Sequence, residues 1–287
     1  MDRKNAGELQ QHMLGTYHAL RVTLTVIGVA LPILIVGVGW IQQGRIWIEP
    51  SISQYYYVSG RFPFFTTRDF FVGLLLAISV CLYAYKGFST RESVALNVAG
   101  IFAFFVAVLP TAVDDQDRGL RSVLHGVAAV LFFLCIAYVS LRRSRDTLRL
   151  LPQTKQEKYA RLYFFTSLAM IMSPAIAVIL SFALDPRSSK WIFFVEALSV
   201  WSFAAYWWIK TREMGETDAE RRALNAKLER KLVSHARPIS AGSTHVSALD
   251  RLVQRVMVPN DALVERIVPA GNGSVELEAP ATKPAAP

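Results

Sequence analysis

Residues 20–40 read LRVTLTVIGVALPILIVGVGW, a run of twenty-one residues whose only charge is Arg21. A bilayer needs about 20 consecutive apolar residues to be crossed by a helix, so this stretch reads as a membrane span. The rest of the chain repeats the signal. Five further apolar runs lie at about 69–85, 93–112, 120–141, 162–184 and 191–209. Charged residues make up 18% of the chain and the mean hydropathy is +0.32, against about 25% charged in an ordinary soluble domain. The reading is an all-α, polytopic membrane helix bundle with six transmembrane helices.

The net charge of +9 would suit a nucleic-acid binder, but the placement of the cations argues against one. If the amino terminus is inside, the inner segments hold 24 lysines and arginines and the outer ones 7; without the long tail the inner count is 12. This asymmetry predicts both termini in the cytoplasm, N-in and C-in. The expected host is the bacterial inner membrane, with no nucleic-acid partner. The first twenty residues lack the apolar core of a signal peptide, so the first span is expected to act as an uncleaved signal-anchor. Trp40, Trp47, Trp191 and the pair Trp207–Trp208 mark the span ends as interfacial anchors.

The expected organisation is an N-tail at 1–19, the six-helix domain at 20–210 with an outer loop at 41–68, a cytoplasmic helical segment at 211–260 and a disordered tail at 261–287. Within 217–258, leucines spaced by four beside basic residues suit contact with the membrane surface or a partner protein. Cys81 and Cys135 both fall in apolar runs and offer neither a disulfide framework nor a metal spacing.

Ionisable groups inside spans are costly, and they are the first place to look for function. Asp69 opens the second helix; Asp114 and Asp115 follow the third; His125 and Glu196 lie about five residues into the fourth and sixth. Each of the last two is then about 7 Å deep. All sit at the outer end, as does the loop stretch EPSISQYYY at 49–57. Alternation there predicts an extended segment with Ser51, Ser53 and Tyr55 on one side. Tyr55 and Tyr56 suit headgroup depth. The segment is expected to wall an outer pocket bounded by Asp69, His125 and Glu196. The inner half offers mainly Asn97, expected to bond between helices, and loop cations.

A carboxylate beside a neutral imidazole can serve acid–base chemistry, with His125, Asp69 and Glu196 in the catalytic roles. Ser51, Ser53, Tyr55, Tyr56, Asp114 and Asp115 would contact the ligand. The reading placed first is an outward pocket binding a lipid, an amphiphile or an ion. The alternatives are a membrane-embedded lipid hydrolase and a proton- or ion-coupled transporter, whose path lacks an inner continuation. The sequence names no cofactor.

The segments PSISQYYY (50–57), RDFFVGLLLAISVCLYAYKGF (68–88), NVAGIFAFFVAVLPT (97–111) and LHGVAAVLFF (124–133) resemble a family of uncharacterised bacterial multi-pass membrane proteins. The family carries S-I-S-x-Y-Y, R-D-x-F-V-G and L-H-x-x-A-A-x-x-F-F segments, and the resemblance implies a helical membrane domain over roughly 20–210. A fainter similarity reaches the alkaline ceramidases and adipoQ receptors, which use a Ser, an Asp and three His around zinc. Here only His125 of the five histidines falls in a span. A metal would therefore need carboxylates such as Asp69, Asp114 or Glu196, which favour Mg, Ca or Mn.

Overall fold

The computed structural model describes residues 3–111, 119–143, 145–183, 190–222 and 225. Asp114, Asp115, nearly all of 217–258 beyond residue 222, and the 261–287 tail lie outside the described residues. Seven α-helices, and no strand among the described residues, build the fold: α1 (Arg3–Gln43), α2 (Thr67–Ala84), α3 (Thr90–Val108), α4 (Leu120–Tyr138), α5 (Arg145–Leu148), α6 (Gln153–Ala183) and α7 (Trp191–Thr217). Six of them, all but α5, are long and apolar enough to cross a membrane. A short 3-10 helix, Ser53–Tyr57, sits in the first loop, and a π-helical turn, Val139–Arg143, follows α4.

The spans close into a ring in the order α1–α2–α3–α4–α6–α7, with α7 returning to α1. Spans that follow one another in sequence are spatial neighbours, and the short connection at 85–89 makes α2 and α3 an antiparallel pair. Side-chain bonds record that direction. Ser79 Oγ donates to Gly100 O at 2.7 Å, and Asn97, with its amide assigned so that NH2 faces acceptors, donates to Tyr83 O at 3.0 Å. The expected interhelical role of Asn97 is therefore met. Gly100 makes this approach possible: a Cβ there would lie 2.8 Å from Ser79 O.

The apolar side chains face both ways. Leu24, Leu31, Ile78, Leu96, Ile136 and Met170 are buried between helices, while Phe64, Val80, Phe165 and Ile179 are at least 63% exposed. A surface this apolar fits a lipid bilayer.

Several helix ends differ from the sequence reading; α6, for one, begins at Gln153 rather than near 162. α1 begins at Arg3 rather than near residue 20, so most of the expected N-tail continues the first helix. It stops at Gly44, whose φ of +66° places the residue in the left-handed region that glycine adopts without strain. α7 runs on to Thr217, past the expected end at Ile209. Lys210 and Glu213 are 1% and 0% exposed and pair with each other, so the helix continues through polar residues that need no water. Trp207, expected at the interface, is fully buried against Tyr85 and Tyr206, whereas Trp40, Trp47, Trp191 and Trp208 are exposed.

Candidate functional site: a polar seam along α7

At the loop end of the bundle, Glu196 projects from the start of α7 towards residues 50–53. Its two carboxylate oxygens accept from Ser51 Oγ at 3.0 and 2.8 Å, and one also accepts from Ile52 N at 2.6 Å. Because the Ser51 hydroxyl donates to Glu196, it accepts from Ser53 Oγ at 2.8 Å. Phe193 N donates to Pro50 O at 2.8 Å, which pins the loop to the first turn of α7. Three of the expected site residues, Ser51, Ser53 and Glu196, are thus brought together.

The segment is not extended as expected. Gln54 N donates to Ser51 O and Tyr55 N to Ile52 O, both at 3.3 Å, closing a 3-10 turn. Glu196 takes the Ile52 N–H that a strand partner would otherwise need, and no strand lies alongside. Tyr55, expected at headgroup depth, is 0% exposed; its hydroxyl accepts from Glu49 N at 3.3 Å and its carbonyl accepts from Thr67 Oγ1. The ring lies against Gly39, where a Cβ would come 2.6 Å from Tyr55 Cε1. Tyr56 is half-buried, with the Arg68 guanidinium 5.5 Å from its ring centre.

Asp69 and His125 bond elsewhere. Asp69 closes the start of α2, accepting from Thr66 N at 2.7 Å and Thr66 Oγ1 at 3.0 Å, a capping-box arrangement. His125 is buried and donates from Nδ1 to Leu109 O at 2.8 Å, tying α4 to the end of α3. The pocket bounded by Asp69, His125 and Glu196 is replaced by three separate local clasps. Among the described residues, no three His, Cys, Asp or Glu side chains cluster as a metal site.

Burial, together with the nearby Glu49 carboxylate, pushes the Tyr55 phenol from 10.0 up to about 12. Because the folded value is the higher one, its contribution is complete below the unfolded value and is lost as pH rises through the folded one. Docking of the 49–57 loop should therefore weaken between pH 10 and about 12. Limited proteolysis of the loop against pH should show that opening in the parent and lose it in Tyr55→Phe. Identical pH profiles for both proteins would remove Tyr55 as the group responsible.

The opposite end holds what the sequence reading missed. Lys210 Nζ lies 3.0 Å from Glu213 Oε2 and donates to Thr147 Oγ1 at 3.0 Å. Thr147 Oγ1 donates to Glu213 Oε1, and Tyr163 OH donates to Glu213 Oε2 at 2.5 Å. Next to this cluster, Arg21 of α1 is 2% exposed, pairs with Glu220 and donates to Tyr85 OH at 3.3 Å. The expectation that this half offers mainly Asn97 and loop cations is overturned, because Arg21, Lys210 and Glu213 are buried between helices.

Between the two ends, Ser199 Oγ meets Ser173 Oγ of α6 at 2.6 Å. Ser202 and Tyr206 are also buried, the latter with its ring 5.9 Å from Tyr163. Glu196, Ser199, Ser202, Tyr206, Lys210, Glu213 and Thr217 follow one another by three or four residues. They form a single stripe on α7. From Glu196 to Glu213 the helix rises about 26 Å, close to the ~30 Å hydrocarbon thickness. The signal was legible: the same spacing continues beyond Ile209, where the apolar run stops.

Comparison with protein-family models, with curated proteins and with solved structures returns no match.

Proposed function

We propose that this chain is a multi-pass inner-membrane protein that moves protons, alone or coupled to a solute, along the buried face of α7. The supporting observation is the seam itself: carboxylates at both ends, with Ser173, Ser199, Ser202, Tyr206 and Tyr163 between them. Hydroxyls and carboxylates both accept and donate, so a proton can pass along them without a cation having to be dehydrated. Intramembrane ionisable groups are expensive to keep, which makes a role in proton movement the default for Glu196, Lys210 and Glu213. The cation count of the sequence supports a cytoplasmic Lys210 end and an outer Glu196 end.

The main objection to transport was the lack of an inner continuation, and the Lys210–Glu213 cluster answers it. Phe203 and Trp207 are buried beside the stripe between Ser202 and Lys210. Their bulk closes the path at that point, and proton passage requires it to open there. Lipid binding or hydrolysis at the loop end ranks lower. Glu196, Ser51 and Ser53 already satisfy one another, and His125 and Asp69 hold other backbone groups.

The test is proton entry into proteoliposomes loaded with a pH-sensitive dye, driven by a potassium diffusion potential. Parent protein should acidify the lumen faster than protein-free vesicles, and Glu213→Gln should return the rate to the protein-free level. Size-exclusion profiles establish that the variant is folded. Parent vesicles no faster than empty ones would end the proposal.

A further inference from the structure

The groove between α1 and α7 ends, on the loop side, in a paired cation site. Arg45 follows the last turn of α1 and Lys190 precedes the first turn of α7, two helices packed side by side in the ring. Between them stands Trp47. Lys190 Nζ lies 3.9 Å from its ring centre and Arg45 Cζ 5.1 Å from it. The backbone at Trp47 is tied to α1, because Trp47 O accepts from the Trp40 indole Nε1 at 2.6 Å. Arg45 donates to Gln43 Oε1 at 3.3 Å; among the described residues neither cation has a carboxylate partner. Two cations are thus held at one aromatic ring where two spanning helices end, while the Glu49 carboxylate accepts from the Gln43 amide. The surrounding surface is apolar: Ile41, Ile46, Trp191 and Phe194 are 52%, 81%, 68% and 49% exposed.

We propose that Arg45, Trp47 and Lys190 form a binding site for the headgroup of an anionic phospholipid. Its phosphodiester lies between the two cations, and its acyl chains run along the α1–α7 groove past Ile41 and Phe194. Charge complementarity selects the headgroup. Arginine supplies a planar fork for phosphate oxygens and lysine a point charge. Tryptophan is suited to this depth because its ring is amphipathic. A soluble anion would have no use for the exposed apolar rim, so the occupant is a lipid. The inference does not depend on the proton path, since its readout is lipid retention.

Purified protein is equilibrated with mixed micelles of phosphatidylglycerol and phosphatidylcholine in equal amounts, and retained lipid is counted by native mass spectrometry. Parent protein should keep phosphatidylglycerol in preference, and Arg45→Gln/Lys190→Gln should lower that preference roughly thirtyfold, the effect of two surface cations. A second pair, Arg68→Gln/Arg121→Gln in the first turns of α2 and α4, removes the same charge away from the α1–α7 groove and should leave the preference intact. An equal loss in both double variants would reduce the effect to bulk charge and overturn the site. So would a parent with no preference. Displacement of the lipid by millimolar inorganic phosphate would show a free-anion site and equally contradict the proposal.

Discussion

Replacing Glu213 by leucine should destabilise the bundle by about 3–5 kcal/mol, because it leaves the Lys210 ammonium buried without its counter-charge. The burial makes the effect large. Lys210 is 1% exposed, and with Glu213 gone its only remaining polar contact in the cluster is Thr147 Oγ1 at 3.0 Å. Tyr163 OH and Thr147 Oγ1 each lose their bond to Glu213 at the same time. The double variant Lys210→Met/Glu213→Leu should regain most of that loss, since an apolar pair of similar volume removes both desolvation penalties. Reversible denaturation in mixed micelles, run as a double-mutant cycle, gives the coupling directly. A Glu213→Leu cost below about 1 kcal/mol is the size expected of a solvated surface pair. That outcome would mean the cluster is not shielded from water.

Stability alone does not decide function, and the cycle separates the two. If the pair exists only to hold α7 against the α5 region, the double variant should be stable and otherwise normal. If the pair also handles protons, the same stable variant should be inactive in vesicles. The combination of restored stability and lost flux is what a working seam predicts.

The spans were legible because each requires an apolar run of bilayer length, and residues 20–40 alone carry that signal. Their ends were not. An apolar-run criterion stops at the first charge, whereas α7 continues through Lys210 and Glu213 because each neutralises the other. The clustering of polar groups at the loop end was legible in part. Glu196 does meet Ser51 and, through it, Ser53, as a part-buried carboxylate facing a hydroxyl-rich loop should. Asp69 and His125 were placed at the right end, yet they bond to Thr66 and Leu109. A short polar side chain satisfied by nearby backbone has the same appearance in sequence as a ligand. The 3-10 turn at Ser53–Tyr57 was hidden for a related reason. Alternation of residue types indicates a strand only where a partner strand exists to accept the backbone bonds.

The central claim is that the α7 stripe is one continuous path, and its middle can be tested without touching a titratable group. Ser199 is 2% exposed and bonded only to Ser173 Oγ and the Val195 carbonyl among the described residues. Ser199→Ala keeps the helix and differs only by loss of the hydroxyl oxygen at the seam's midpoint, so it adds no bulk against Ser173. The decisive measurement is proton flux in vesicles carrying Ser199→Ala beside vesicles carrying parent protein at matched copy number. Flux at the protein-free level, with both carboxylates still in place, is the predicted result. Parent-like flux through Ser199→Ala would contradict a path along α7.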